Sequence, residues 1–196
     1  EIRKAEKRKF EQSVDLIINL KGIDMKRDNV NVVLTIPHKI KDKKVCGFLS
    51  EKSEHIDVIR EMDFGKYKDK KMIKNLTKDY DYFIAVAKLM PKVATAFGKV
   101  LGPVGKMPSP QLGIILSESE AAIKDALKKI DKSLKVRMKE ASIKVIAGKE
   151  GMKDEEIIEN AEAIYRGIEA ALPNKKENIK NVMVKLSMGA PIKVEI

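Results

Sequence analysis

The sequence predicts a mixed α/β protein in which both ends of the chain form one α/β sandwich and the middle forms a second, inserted α/β domain. Alternating apolar and polar residues near each end indicate half-buried strands. In the middle, continuous apolar runs alternate with helical patterns, which is typical of a small sheet with helices on its faces. The strand pattern of the N-terminal end returns after Leu134. We therefore assign residues 1–41 and 132–196 to the first domain and residues 42–131 to the second.

Two strands are predicted at the start of the chain. Residues 13–20 alternate between apolar and polar side chains, which is the two-residue period of a strand with one buried face. Residues 30–36 form the next strand, and Pro37 ends it because proline cannot donate to a strand ladder. The run 40–44, which is polar after Ile40, then serves as the connector to the inserted domain.

The inserted domain is predicted to alternate strands with helices. Its strands are residues 45–49, 56–59, 83–87 and 114–116. Its helices are residues 68–78, a short helix from Pro91 to Gly98, and a helix behind a capping box formed by Ser117 and Glu120. The run 83–87 is apolar throughout, which indicates a strand buried on both faces.

The C-terminal part returns to the first domain. Residues 136–139 and 142–147 are predicted to pair as strands joined by a tight turn at Glu140 and Ala141. Asp154 is predicted to cap a long helix that Pro173 stops. The buried face of this helix is predicted to carry Ile157, Ile158, Ala161, Ile164, Ile168 and Leu172. Two closing strands, residues 182–186 and 192–196, complete the domain.

The charge balance favours a polyanionic partner. The chain has 196 residues with a formal net charge of +11, nearly all of it from excess lysine. Such a field attracts nucleic acid first and an anionic membrane surface second. A Lys/Glu-rich surface of the kind found in heat-adapted proteins would explain the high charge but not the excess of one sign.

Several other classes of protein find little support. The single cysteine, Cys46, excludes an internal disulfide and a cysteine-based zinc site and fits a reducing cytoplasm. No apolar stretch approaches the roughly 20 residues that cross a bilayer, so we expect no membrane association. His38 and His55 have no nucleophile arranged beside them, and we expect neither enzymatic activity nor a metal or cofactor.

A nucleotide-dependent α/β enzyme is the competing hypothesis. The segment 98–110 is rich in glycine and proline, and Gly105 with Lys106 suggests a phosphate-binding loop. A Walker loop, however, needs glycine where Val100 stands and a hydroxyl side chain where Met107 stands. We therefore expect a rigid, proline-fixed surface loop instead.

Two short segments have the chemistry of RNA contacts. Their members are Lys9, Phe10 and Ser13 near the N-terminus and Ser187, Met188 and Gly189 near the C-terminus. Lysines attract phosphates, the Phe10 ring can pack on a sugar or base, and Ser187 can hydrogen-bond a 2′-hydroxyl. Gly189 lets a partner's backbone approach closely. From the residues alone, a core position for Phe10 or for Met188 stays open as the alternative.

Four motifs occur in a fixed order along almost the whole chain. Residues 101–110, Leu-Gly-Pro-Val-Gly-Lys-Met-Pro-Ser-Pro, resemble the signature of the L-one family of ribosomal proteins. Residues 185–189 are similar to the Ser/Thr-Met-Gly turn of that family, and residues 9–13 to its Phe-x-x-Ser/Thr segment. Residues 151–157 match the start of its long helix. The chain is thereby identified as a member of this family, of archaeal type.

The resemblance implies a two-domain structural protein of the large ribosomal subunit. The chain ends would form the RNA-binding domain, and a Rossmann-like parallel α/β domain would be inserted between them. Implied partners are the stalk region of large-subunit rRNA, the protein's own mRNA, whose translation it would repress, and exit-site tRNA, whose release it would assist. Off the ribosome we expect a cytoplasmic monomer.

The resemblance also assigns site residues. Phe10, Ser13, Ser187, Met188 and Gly189 occupy the motif positions that contact RNA in relatives, and Lys9 and Lys139 are supporting members. A secondary loop in the inserted domain consists of Gly102, Pro103, Gly105, Lys106, Met107 and Pro108. The chain departs from the family pattern at residues 50–54, which are too few for the usual helix, and at Val104, where many relatives carry arginine.

Overall fold

The computed structural model describes residues 9–24, 31–51, 53–138 and 140–194. In chain order its strands and helices are β1 (Ser13–Leu20), β2 (Asn31–Thr35), β3 (Val45–Phe48), β4 (Asp57–Ile59), α1 (Lys70–Asp79), β5 (Tyr82–Val86), α2 (Met90–Val104), β6 (Ile114–Ile115), α3 (Glu120–Asp131), β7 (Ser133–Arg137), β8 (Ser142–Lys149), α4 (Asp154–Ala171), β9 (Ile179–Leu186) and β10 (Ile192–Val194). Of the predicted strand residues, Val30, Lys139, Glu195 and Ile196 lie outside the described residues.

The chain divides into two compact units. The first, called here the terminal unit, comprises Glu1–Ile40 and Lys132–Ile196, and the second, the inserted unit, comprises Lys41–Asp131. Each has its own hydrophobic core, as an independent domain requires.

The main sheet of the terminal unit is antiparallel, with the strand order β10-β9-β1-β8. Along β1 the even-numbered side chains are buried and the odd-numbered ones half-buried, because successive side chains of a strand point to opposite faces. The buried Leu16 and Ile18 share a core with Ile164 and Ile168 of α4. The helix therefore covers one face of this sheet, and the two layers form a sandwich.

A smaller antiparallel sheet, formed by β2 and β7, joins the same core. Leu34 of β2 and Val136 of β7 pack in the cluster that contains the buried face of α4. Gly167 of α4 permits this packing, because a Cβ at that position would lie 2.5 Å from Leu34 Cδ2. The small sheet thus packs against α4.

The inserted unit is built on a parallel sheet with the order β4-β3-β5-β6. One face carries a core with Ile73 of α1 and Phe97 of α2, and the other a core with Ile123 and Ile130 of α3. Burial on both faces explains why β5 is apolar throughout. A parallel sheet between two helical layers is Rossmann-like, and together with the sandwich it confirms the predicted α/β fold class.

The predicted hairpin at Glu140 and Ala141 is wrong. Strand β7 pairs with β2, whereas β8 pairs with β1, so the two strands belong to different sheets. The carbonyl of Ala141 accepts a hydrogen bond from the backbone N–H of Leu20 at 2.9 Å, which ties the connection to β1. Each strand pairs with a distant strand of the same length, β7 with β2 and β8 with β1, and the two do not pair with each other.

The predicted end of α2 at Gly98 is also wrong. The helix continues through Gly98 and Pro103 and ends at Gly105, whose φ of +77° is the left-handed conformation of a C-terminal cap. Its buried stripe extends beyond Gly98 to Val100 and Leu101. Burying these side chains outweighs the cost of about 1 kcal/mol for glycine inside a helix.

The residues that cap α3 and α4 differ from the predicted ones. Ser119, not Ser117, caps α3, since its hydroxyl accepts a hydrogen bond from the backbone N–H of Ala122 at 3.3 Å. At α4 the cap position is Lys153 and Asp154 is the first helical residue. The Glu156 carboxylate accepts from the Lys153 N–H at 3.3 Å.

Ile164 and Ile168 of α4 and its C-terminal cap residue Leu172 are buried, as predicted, but Ile158 is not. Ile158 is 57% exposed, whereas Asn160 and Tyr165 are buried. The buried stripe thus runs through Asn160, Ile164 and Ile168, at spacings of four residues.

Candidate nucleic-acid interface

Ser13 and Ser187, 174 residues apart in the chain, lie side by side where β1 begins and β9 ends, and we call this pair the serine junction. Their hydroxyl oxygens are 2.9 Å apart. The backbone N–H of Ser13 donates to Ser187 Oγ at 3.1 Å, and the N–H of Ser187 donates to the Ser13 carbonyl at 3.0 Å. The Ser13 hydroxyl donates a hydrogen bond to Asp15 Oδ1 at 2.9 Å. The sheet thus brings together the two segments that the sequence analysis singled out.

Gln12 holds the Ser187-Met188-Gly189 turn, a role that the sequence analysis did not assign. Its side chain is 1% exposed, and its Oε1 accepts a hydrogen bond from the backbone N–H of Met188 at 3.2 Å. Its own backbone is fixed by Glu150, which accepts from the Gln12 N–H at 3.3 Å and donates its N–H to the Gln12 carbonyl at 2.8 Å. A buried amide with these partners positions the turn rigidly.

Phe10 and Met188 present large apolar side chains to solvent. Phe10 is 54% exposed and Met188 65% exposed, so neither belongs to the core. The Gln12–Met188 hydrogen bond brings the two segments together within two residues of Phe10. Exposed apolar side chains on a rigid frame are suited to packing against sugars or bases.

Gly189 completes the turn and lies close to Leu186. Its N–H donates to the Leu186 carbonyl at 2.9 Å, and a Cβ at this position would lie 3.3 Å from Leu186 Cβ. Leu186 is buried, so a side chain at position 189 would require Leu186 to shift by a few tenths of an ångström within the core.

Two further basic residues are Lys9, next to Phe10 in the chain, and Lys149, which pairs with Ser13 across β1 and β8. Lys9 is exposed, whereas Lys149 forms an ion pair with Glu11 at 2.8 Å. Lys139, the other predicted basic contact, lies outside the described residues. Among the described site residues, Lys9 thus provides the exposed positive charge next to Phe10.

The secondary loop has an internal structural role. Gly102 and Pro103 form the last turn of α2, and Gly105 ends it. Lys106 Nζ donates to the carbonyls of Thr77 and Tyr80, both at 2.7 Å, and so caps the end of α1. Because its ammonium group is engaged, Lys106 is poorly placed to bind a phosphate as well.

The remaining loop residues are also packed within the inserted unit. Met107 packs against its core, and Pro108 is buried beside Gly113. The segment Gly102 to Pro108 therefore fastens α2 to its neighbours.

A groove of about 840 Å³ lies between α4 and the main sheet of the terminal unit. Its walls are largely apolar, with Leu16, Ile157 and Tyr165 among them. The charged residues that line it are Glu150, Asp154, Glu162, Glu169, Arg166 and Lys176. Four carboxylates against two basic groups repel phosphates, so we do not assign RNA to this groove.

The described residues contain no group of three or more metal-binding side chains, and none of their helices is long and apolar enough to span a membrane. Cys46 is buried, and burial raises the pKa of its thiol to about 12. Such a thiol stays protonated and is a poor nucleophile.

Comparison with known proteins agrees with the sequence motifs. Residues 2–190 match the model of the Ribosomal protein L1p/L10e family. The large ribosomal subunit protein uL1 of Pyrobaculum neutrophilum is 31% identical over 205 residues, covering 99% of this chain and 89% of the relative. The protein of the same name from Pyrococcus horikoshii is 32% identical over 203 residues, covering 98% of this chain and 90% of the relative. That of Methanothermococcus thermolithotrophicus is 33% identical over 202 residues, with coverages of 97% and 92%. The chain therefore belongs to the Ribosomal protein L1p/L10e family.

Proposed function

We propose that the protein is a structural constituent of the large ribosomal subunit, in the cytoplasm, and that it binds the stalk region of large-subunit rRNA through the terminal unit. The observation that carries this proposal is the serine junction, with the exposed side chains of Phe10 and Met188 beside it. Lysine–phosphate attraction supplies affinity, and the apolar and hydroxyl contacts supply specificity, because phosphate attraction alone does not distinguish one RNA from another.

Two finer activities follow from the same site in our proposal. By binding its own mRNA, the protein represses its translation, and on the ribosome it assists the release of deacylated tRNA from the exit site. Off the ribosome it is a monomer. Both activities require a surface that recognises RNA shape, which the rigid turn at Met188 supports.

Contacts in the inserted unit speak against the competing hypothesis of a nucleotide-dependent enzyme. In parallel sheets of this kind, nucleotides bind at the carboxyl ends of the strands. At the end of β3, the Glu118 carboxylate accepts hydrogen bonds from the backbone N–H groups of Ser50 and Glu51, at 3.1 and 3.2 Å. A carboxylate in this place repels a phosphate. Tight binding of ATP or GTP would contradict this interpretation.

The test is binding to a stalk rRNA fragment and to a shuffled RNA at about 0.15 M salt. We expect a preference of roughly a thousandfold or more for the stalk fragment, by analogy with specific DNA binding. Phe10→Ala and Met188→Ala should lose most of this preference and keep the weak, salt-sensitive component. Met62→Ala is the matched control, because Met62 is 81% exposed but lies in the inserted unit. Equal affinity of the parent protein for both RNAs would contradict the proposal.

Two assays separate the finer activities. A sucrose gradient should show the protein on large subunits, and a primary repressor would be largely absent from them. A reporter that carries the protein's own mRNA leader should be repressed by the parent protein but not by Met188→Ala. Unchanged translation of the reporter would remove mRNA repression and leave rRNA binding standing.

A further inference from the structure

The second face of the main sheet in the terminal unit is not part of its core. On β1 the side chains of Ile17 and Asn19 point away from α4 and are half-buried. The strand registers define the rest of this surface, which we call the open face. Its members are Asp15, Ile17, Asn19, Ser142, Lys144, Ile146, Asn181, Met183, Lys185 and Lys193.

One register row crosses all four strands of the open face. Lys144 of β8 pairs with Ile17, Ile17 pairs with Met183 of β9, and Met183 pairs with Lys193 of β10. A lysine therefore stands at each end of the row, with two apolar side chains between them. Both lysines are exposed, and neither has a carboxylate partner among the described residues.

The neighbouring rows are polar. On one side, Asn19 donates through Nδ2 to Asn181 Oδ1 at 2.7 Å, which leaves further amide groups for other partners. On the other side, Asp15 pairs with Lys185 and leads to the serine junction, where Ser13 Oγ donates to Asp15. The open face is therefore continuous with the candidate RNA site.

We propose that the open face is a second part of the RNA interface and binds an A-form RNA helix across its minor groove. This inference rests on the proposed function and extends it to a further surface. Lys144 and Lys193 are three strand spacings apart, about 14 Å. The minor groove of A-form RNA is wide and shallow and is bordered by phosphates. One lysine faces each phosphate strand, and the amides of Asn19 and Asn181 face the 2′-hydroxyls that the groove exposes.

Charge selects RNA over a protein partner for this surface. Of the described side chains on the open face, three are lysines and one, Asp15, is a carboxylate. Its apolar strip, centred on Ile17 and Met183, is narrow and flanked by cations, whereas the core of a stable protein interface is depleted of charge. An extended polyanion fits this pattern better.

The experiment measures binding of a stalk rRNA fragment that contains a helical stem, over a range of salt concentrations. Lys144→Ala/Lys193→Ala is compared with Lys74→Ala/Lys99→Ala, which removes the same charge from exposed positions in the inserted unit. We expect the open-face variant to bind at least about tenfold more weakly than the control. The slope of log affinity against log salt should fall by about 1.5 to 2, the value for two lost phosphate contacts.

A second probe tests the groove directly. The parent protein should bind a stem of 2′-deoxy nucleotides more weakly than the RNA stem. Asn19→Ala/Asn181→Ala lacks the amides that face the 2′-hydroxyls, so its affinity should differ little between the two stems. Lys144→Gln/Lys193→Gln repeats the lysine test in a second background in case the alanine variant has a lowered thermal unfolding temperature.

The outcomes separate the two proposals. Suppose the open-face variants match the control and the 2′-deoxy stem binds normally, while Phe10→Ala still abolishes the preference for stalk RNA. The open face would then not bind RNA, and the proposed function would stand. If the parent protein shows no preference for stalk RNA, the proposed function itself fails.

Discussion

At the residue scale, Asn160 is a buried polar clamp within the terminal unit. Its side chain is fully buried, with Oδ1 accepting from the His38 N–H at 3.0 Å. Its Nδ2 donates to the carbonyls of His38 and Ala147, at 3.1 and 3.0 Å. The clamp fixes the backbone beyond β2 to α4 and β8. Both the amide oxygen and the amide nitrogen of Asn160 are hydrogen-bonded.

We predict that Asn160→Ala lowers the free energy of unfolding of the terminal unit by about 2 to 4 kcal/mol, because the buried Ala147 carbonyl and two backbone groups of the half-buried His38 lose their partner. Urea denaturation followed by circular dichroism measures this change. Glu159→Ala is the control: its carboxylate hydrogen-bonds His38 Nε2 at 2.7 Å in a contact that is more exposed than the clamp, and we expect a loss below about 1 kcal/mol. Equal effects of the two substitutions would contradict a clamp.

The serine junction shows which site residues a sequence can predict. Ser13, Ser187 and Met188 were predicted because they occupy motif positions that contact RNA in the family that the chain resembles, whereas their residue types alone left a core position open for Met188. Gln12 was missed, because nothing in its polar surroundings indicates a side chain that is 1% exposed and bonded to residue 188. That contact depends on strand pairing across 174 residues, which local patterns do not encode. The roles of these residues in RNA binding stay predictions.

At the scale of elements, long-range packing overrode the local residue preferences that predicted where helices and strands end. The glycine at position 98 and the turn residues at 140 and 141 predicted breaks, yet α2 continues and β7 and β8 join different sheets. Patterns of buried side chains were more reliable, since β1 appears where its alternating pattern predicts a strand and β5 lies within one residue of its continuous apolar run. Periodicity reflects the core, whereas a glycine or a turn residue reflects only a local preference.

We predict opposite effects for alanine at Gly98, inside α2, and at Gly105, which caps its C-terminal end. A Cβ at Gly98 meets nothing within 4 Å, so Gly98→Ala should stabilise the inserted unit by about 0.5 to 1 kcal/mol. At Gly105 the left-handed φ of +77° disfavours a side chain, and Gly105→Ala should destabilise the unit by about 1 to 2 kcal/mol. Thermal unfolding of both variants measures the difference. A rise in stability for Gly105→Ala would show that this cap is not needed.

At the scale of the whole molecule, the discontinuous terminal unit and the inserted unit each have a complete core. Complete cores imply that each unit can open without the other. Cys46 reports on this directly: it is 1% exposed, lies in the core of the inserted unit, and has a thiol whose pKa burial raises to about 12. A thiol reagent therefore reacts with it only after that unit opens.

We predict that Asn160→Ala leaves the rate of Cys46 labelling in native buffer unchanged, because the lost clamp belongs to the terminal unit. Ile84→Val, which removes a methyl group from a fully buried side chain of the inserted unit, should cost about 1 kcal/mol and speed labelling about fivefold. Labelling with a chromogenic disulfide at several reagent concentrations measures both rates. If Asn160→Ala speeds the labelling of Cys46 by the factor that corresponds to the free energy of unfolding lost in the terminal unit, the two units unfold as one. The inserted unit would then depend on the terminal unit for its stability, despite its separate core.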